Sequence, residues 1–428
     1  MLLKLLIASI ITGIISGFFI AFYELLVTFF TYFIFMGDPF KTIPTLPVWY
    51  IYAVPTVAIF FVNYLSSKNK NIREYGISEI AESIAENRMI LTVRILFLKI
   101  IASAVSLASG FSVGTEGPSA GIGAMIAYHV HRLFRLPQML VKMMISVGAS
   151  SGIAAIFVSP ITGMAFAVEN IAYQFLKQYI SYLIIASVIA FAISINFLEP
   201  IIFRHSHGRN FDNDYIIANL LFIPFITLFI YFYLFLKKRL LHFVDLEIFK
   251  NFHHWRNPIF ALIGGGVIGT ILLIKPEAAF SGKMIVTTLI NKETHISVLF
   301  IFAIIILRII GTTVSIYANA VGGLFLPLMS IGALTGYAFG ELAVQYQHLQ
   351  IEPFYFAAIG AAVFMGVIMQ LPLTALILSL ETTFDYNVVV ATGITVVITS
   401  YLSGLSFDIR RRQSTRAEKI DPKELQVP

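Results

Sequence analysis

Cysteine is absent from this chain, and charge is scarce: 12% of its 428 residues are Asp, Glu, Lys or Arg. The first absence excludes disulfides, thiol nucleophiles and cysteine-held metals. The second excludes an ordinary soluble domain, in which about a quarter of the residues are charged. Polar runs are also too short for a soluble domain of their own; the longest cover 66–88, 237–257, 275–296 and the tail. What remains is hydrophobic at 58% of positions, which places the chain in a lipid bilayer. The formal charge of +6 gathers in the connections and in the tail "RRRQSTR", 410–416. That pattern is a topology signal that assigns the tail, 409–428, to the cytoplasm; it is not a nucleic-acid surface.

Apolar stretches follow one another from 2–35 and 47–64 through 91–113, 119–134, 142–159 and 161–176 to 372–383 and 387–407. Several fall short of the roughly 20 residues that a straight spanning helix needs. Short pieces ended by Gly or Pro at membrane depth cannot face lipid, because unpaired backbone groups there cost several kcal/mol each. They must be buried in protein or line a watery cavity. The sequence therefore predicts one all-α integral-membrane domain over 1–408, built from partly broken helices. The first apolar stretch lacks a small-residue cleavage site after a short core, so it is expected to stay on the chain.

The domain is internally duplicated. Gly114, Pro118, Gly123 and Ala124 recur as Gly323, Pro327, Gly332 and Ala333 with unchanged spacing. A second match is longer: Gly148-Ala149, ten residues, Pro160-Ile161-Thr162, six residues, Glu169 returns as Gly360-Ala361, ten residues, Pro372-Leu373-Thr374, six residues, Glu381. Repeat one covers about 1–236, a basic connection about 237–257, and repeat two about 258–408. Duplicated halves with Gly/Pro-interrupted helices at matching positions are the pattern of transporters that hold a ligand between the halves. Spacing alone leaves open whether the repeats are parallel or inverted.

One stretch carries chemistry. In "GFSVGTEGPSAGIGAMI", 110–126, the acid Glu116 stands among glycines and aliphatic residues. Gly114 and Gly117 let backbone N–H groups approach a ligand, and Pro118 suits the first turn of a helix. A helix start offers free N–H groups and a partial positive charge, which together form an anion site. "GGLFLP", 322–327, offers the same device in repeat two. Two such starts can converge on one anion near the bilayer centre. Glu116 brings an anion of its own, able to occupy the amides when no ligand does. An ionisable residue inside a membrane segment is by default functional, although a helix-start acid can also serve only its own amides.

These residues resemble the CLC family of chloride channels and chloride/proton exchangers. "GTEGP" is similar to the family's G-[KR]-E-G-P motif, "GGLFLP" to its GxFxP motif, and "YGISEI", 75–80, to a degenerate GSGIPEI motif. The similarity runs in order from about residue 10 to 408. It implies two inverted repeats of tilted helices, a homodimer with a pore in each subunit, and cytoplasmic termini in a cell membrane. It also implies that Glu116 is the gate and external proton acceptor. The anion-binding positions it implies are Tyr75, Gly76, Ile77 and Ser78, then Gly114, Thr115 and Gly117, then Leu324 and Phe325. Glu381 resembles a buried structural acid. No metal or other cofactor is expected; the partners are chloride, protons and lipid.

The chain departs from the family pattern at four places. Thr115 stands where a basic residue is common. Tyr75 and Ser78 replace the pore serine and the proline three positions on. The pore tyrosine of the last helix has no clean match; Phe407 or Tyr401 lies closest. Asn170 holds the place of the internal proton-transfer acid, with Glu169 one residue earlier as a possible substitute, although one position rotates a helical side chain by roughly 100°. The preferred function is chloride/proton exchange; the alternative is a passive chloride channel, because Asn cannot carry a proton.

Rival readings fare worse. "GASSG", 148–152, fits G-x-S-x-G, but the histidines lie at segment ends or in connections, so the serine has no base. His205 and His207 are without a third ligand of clear spacing. A cation-coupled transporter would need convergent carbonyls or carboxylates, whereas two helix starts favour an anion. Lys99 and Arg308 lie within apolar segments, where each tunes the anion field, snorkels or pairs with a carboxylate. If the Tyr75 hydroxyl replaces the missing pore tyrosine, Tyr75→Phe alters anion selectivity in flux assays with mixed halides, and unchanged selectivity removes that role.

Overall fold

Proline at the first helical position and a left-handed residue just past the last set several of the helix boundaries. Pro160, Pro353 and Pro372 each open a helix, where the missing N–H costs nothing. Val158, Gln370 and Phe384 close helices at φ of 52°, 59° and 55°. Val158 and Gln370 sit at matching places, one in each repeat, ten residues past Gly148 and Gly360. Their end turns match as well: Ser159 N donates to Ala154 O at 3.1 Å, and Leu371 N to Gly366 O at 2.7 Å. A β-branched valine with positive φ is unusual, so this turn is imposed by the packing around it.

The structure is a computed structural model that describes residues 1–68, 72, 92–169, 176–203, 213–244, 256–291, 297–347 and 351–405. In the first half run α1 (Leu2–Ile34), the one-turn α2 (Pro39–Thr42), α3 (Val48–Lys68), α4 (Val93–Ala108), α5 (Glu116–Leu133), α6 (Val141–Phe157), α7 (Pro160–Ala167), α8 (Leu176–Ser194) and α9 (Asn213–Val244). In the second run α10 (Arg256–Ile274), α11 (Lys283–Asn291), α12 (Val298–Tyr317), α13 (Phe325–Gln347), α14 (Pro353–Met369), α15 (Pro372–Thr383) and α16 (Tyr386–Leu402). Helix α9 continues through Val244, into the stretch read as a connection.

Lengths vary as the apolar stretches suggested. At about 1.5 Å per residue, the 33 residues of α1 rise about 50 Å, well beyond a hydrocarbon core of about 30 Å, so α1 is long enough to cross with a tilt or to extend past the core. The 8 residues of α7 and 12 of α15 rise only about 12 Å and 18 Å, too little to span. Both are packed against other helices, which keeps their ends out of lipid.

Close backbone approach drives the pairing, since lipid tails give no hydrophobic advantage to helix association. Helix α5 lies on α6 with Gly123 against Gly148, and α13 lies on α14 with Gly332 against Gly360. These are equivalent pairs in the two repeats. A Cβ at Gly123 or Gly332 would fall on the carbonyl of Gly148 or Gly360. The halves then lock together through α7 against α15 and α3 against α10.

Among the described residues a single isolated β-bridge joins Gly114 to Gly323, antiparallel. Each donates its N–H to the other's carbonyl, at 2.7 and 2.6 Å. The two glycines are repeat-equivalent, so the axis relating the halves passes through this bridge. The all-α fold is thus one of two inverted repeats, with the axis beside Glu116.

The glycine contacts are testable. Gly332→Val should cost about 1–3 kcal/mol or more through overpacking, seen as a lower Tm of the detergent-solubilised protein. Gly266, whose Cβ would meet nothing within 4 Å, should accept Ala with no loss.

Candidate functional site

Glu116 is fully buried at the start of α5. Its carboxylate crosses to the other repeat: Oε1 accepts from Phe325 N at 2.5 Å and from Leu326 N at 3.3 Å, the first two amides of α13. Oε2 is buried without a hydrogen-bond partner among the described residues. The acid thus does for the second repeat's helix start what a bound anion would do. Glycine at both neighbouring loops leaves room for the acid, since a Cβ at Gly114 or Gly323 would fall on the Glu116 carboxylate.

Several anticipated residues come together here. Gly114 pairs with Gly323, Gly117 approaches the Gly323 backbone, and Phe325 supplies an amide. Leu324 directly precedes α13, and its carbonyl accepts from Leu328 N at 3.0 Å. Thr115 is buried; its carbonyl receives both the amide and the hydroxyl of Ser119, and its own hydroxyl has no partner among the described residues. The ring of Phe325 packs on Phe157 at 4.4 Å and on Phe166 at 6.2 Å, lending the site an aromatic floor. Tyr75, Gly76, Ile77, Ser78, Asn170 and Phe407 lie outside the described residues. Tyr401 is 85% exposed, so no buried pathway is lined by it. Leu326 was missed by the motif, because a start-of-helix motif does not show which amides aim at a group on another helix.

The second repeated motif has a distinct use. Glu169 accepts from Leu373 N at 2.7 Å, Thr374 N at 2.8 Å and the Thr374 hydroxyl at 2.5 Å, all at the start of α15. Reciprocally, Glu381 accepts from Ile161 N at 3.0 Å, Thr162 N at 2.6 Å, the Thr162 hydroxyl at 2.7 Å, and the Ser159 hydroxyl, at the start of α7. Each repeat caps the other's short helix. The Pro-x-Thr…Glu spacing therefore encodes a cap given and a cap received, with partners more than two hundred residues apart. Glu169 would have to leave these donors before it could relay a proton.

Of the buried cations, Arg308 is fully enclosed and donates to Ala279 O at 3.0 Å and Phe280 O at 3.5 Å. Lys99 is 2% exposed on α4. The serine of "GASSG", Ser150, shares a hydrogen bond with Ser187 at 2.7 Å and donates to Gly163 O at 3.3 Å. Its hydroxyl thus joins α6 to its neighbours α7 and α8.

Fold and site define a helical membrane transporter with two inverted halves and a carboxylate on an anion-type helix start between them. Residues 55–404 match the family model described as voltage gated chloride channel. The chain belongs to this CLC family. The H(+)/Cl(-) exchange transporter ClcA of Vibrio cholerae serotype O1 is 27% identical over 383 residues, covering 84% of this chain and 78% of that protein. The protein of the same description from Salmonella arizonae is 30% identical over 332 residues, covering 75% and 68%. A slow cyanobacterial Cl-/H+ antiporter shares the fold with a TM-score of 0.83 at 21% identity, covering 97% of this chain and 99% of that one. A CLC-type fluoride/proton antiporter does so with 0.73 at 20%, covering 94% and 95%.

Loss of a reciprocal cap leaves buried amides unpaired, at about 1–3 kcal/mol each. Glu381→Ala should therefore lower the Tm by several degrees, and Glu169→Ala by a similar amount because the two caps are equivalent. A thermal unfolding series in detergent checks both. A large drop for one and none for the other would break the equivalence.

Proposed function

We propose that this protein exchanges chloride for protons across the cell membrane, with Glu116 as gate and external proton acceptor. The observation that carries this reading is the Glu116 carboxylate seated on the first amides of α13, where the repeats meet. In this position it occupies an anion site. Protonation cancels its charge and its claim on the amides, and a chloride ion can then take the place it leaves. Proton and anion thereby compete for one location, which is the physical basis of exchange.

The anion path uses the helix starts around 114–118 and 323–327, with the stretch 75–78 as a third contributor by family resemblance. The homodimer, the cytoplasmic termini and the separate pore in each subunit rest on the same resemblance. For the internal leg of the proton path, Asn170 offers no titratable group and Glu169 is held in its cap, so water is the carrier that fits. The relatives described as chloride/proton exchangers favour coupling over passive conduction.

The test uses purified protein in chloride-loaded liposomes, recording chloride efflux and external pH together under a chloride gradient. Exchange requires proton movement against its own gradient; chloride efflux with no proton movement would make the protein a passive channel. In the same assay Glu116→Gln should abolish proton movement and flatten the pH dependence of efflux. A single titrating gate otherwise changes efflux by up to about tenfold per pH unit on one side of its midpoint.

A further inference from the structure

Ahead of the glycine bridge lies a second exchange between the repeats. Ser106, the third residue from the end of α4, accepts through its hydroxyl oxygen from Val321 N at 3.0 Å. Ser315, the third from the end of α12, accepts from Ser112 N at 3.0 Å. The spacing that carries Gly114 to Gly323 also carries Ser106 to Ser315 and Ser112 to Val321. Each repeat thus lends the other one hydroxyl, at equivalent places. The hydroxyl protons are used elsewhere: Ser106 donates to Ala102 O at 2.9 Å and Ser315 to Gly311 O at 2.7 Å. That leaves an oxygen lone pair on each serine for the incoming N–H. Both serines are fully buried, as is Ser112, and Val321 is 3% exposed.

These bonds bracket the site. Val321 stands two residues before Gly323 and four before Phe325, whose amide holds the Glu116 carboxylate. Ser112 stands two residues before Gly114 and four before Glu116 itself. The serine bonds and the glycine bridge are therefore rungs two residues apart on both loops. One rung would let a loop pivot, whereas two fix its rotation and so the aim of the amides that follow. The loops differ in one respect. Ser112 has a further tie, its hydroxyl sharing a hydrogen bond with that of Thr312 at 2.8 Å. Val321 has no hydroxyl, so the loop over 318–324 relies more on its serine. At the far end of that loop Asn63 Nδ2 donates to Ala318 O at 3.2 Å.

We infer that Ser106 is a positioning residue of the anion site, setting the chloride affinity of the first amides of α13 through its bond to Val321, with Ser315 as its weaker counterpart on the loop that carries Glu116. The role rests on the anion-site reading given above. An amide holds an anion well only when aimed at it, because hydrogen bonds weaken steeply away from linearity. Without the Ser106 hydroxyl, the buried Val321 N–H has no acceptor, and leaving it so is costly. The loop then gains by turning toward another partner. Such a turn carries the Phe325 and Leu326 N–H groups off the ligand position.

Because the Glu116 carboxylate competes for the same amides, the experiment titrates potassium chloride into detergent-solubilised Glu116→Gln protein and reads the dissociation constant by calorimetry. Adding Ser106→Ala should raise that constant about two- to tenfold, the range of one net hydrogen bond. Adding Ser315→Ala should raise it less, because the Thr312 hydroxyl still holds Ser112. Ser106→Thr keeps the hydroxyl and should restore the parent value. Ser150→Ala is the structural control: it removes buried serine bonds that run to α7 and α8, so it lowers the Tm and leaves the constant unchanged. If Ser106→Ala lowers the Tm as Ser150→Ala does but leaves chloride binding unchanged, the inference is overturned and the anion site stands. Should Ser106→Thr fail to fit, the order of the Ser106→Ala and Ser315→Ala effects decides. If the Glu116→Gln parent binds no chloride, the anion-site reading itself fails, and the inference with it.

Discussion

Free amides at helix starts inside a membrane need an acceptor, and this protein supplies carboxylates from the opposite repeat. Three helices depend on them: α7 on Glu381, α15 on Glu169 and α13 on Glu116. Lipid cannot satisfy these N–H groups at membrane depth, so a helix that begins there needs a protein partner or a watery cavity. Because each acid reaches across to the other half, the same interactions that complete the helices also hold the repeats together.

Symmetry distinguishes the two kinds of carboxylate. Glu169 and Glu381 are repeat-equivalent and cap one another's helices, a closed exchange that leaves both acids engaged. Glu116 has no such mate. At the spacing that carries Gly114 to Gly323, its counterpart in the second repeat is Phe325, whose amide Glu116 contacts. One acid thus faces the axis where a strict two-fold would place two. A pair of carboxylates there would repel at short range, whereas a single one can alternate with an external anion. On the proposed gating reading, the break in the repeat is where the movable charge sits, and the intact parts of the repeat form the frame.

Cations follow the same economy. Arg308 donates its described hydrogen bonds to two carbonyls of one tight turn, just before Lys283, which pairs with Glu24. A buried guanidinium so employed acts through geometry, by holding that turn.

Local chemistry made much of this legible in the chain itself. The lack of charge fixed the membrane, the Gly/Pro punctuation marked short helices, and two spacings revealed the duplication. Glu116 stood out because an acid among glycines in an apolar run has few structural excuses. What no spacing could show was which amides each acid serves. The Pro-x-Thr…Glu motif looks like a local cap, yet its acid bonds the other copy's threonine; the start of α13 is met by Glu116 through Leu326 as well as Phe325. Glu24 and Lys283 are ordinary residues in sequence and become a pair only when α1 and α11 are brought together. Several helix starts are marked by prolines within the first turn, so the sequence alone determined those, while the end at Val158 was imposed by packing. Contacts across the axis depend on how two halves, separated by more than two hundred residues, pack face to face, and only the tertiary structure decided those.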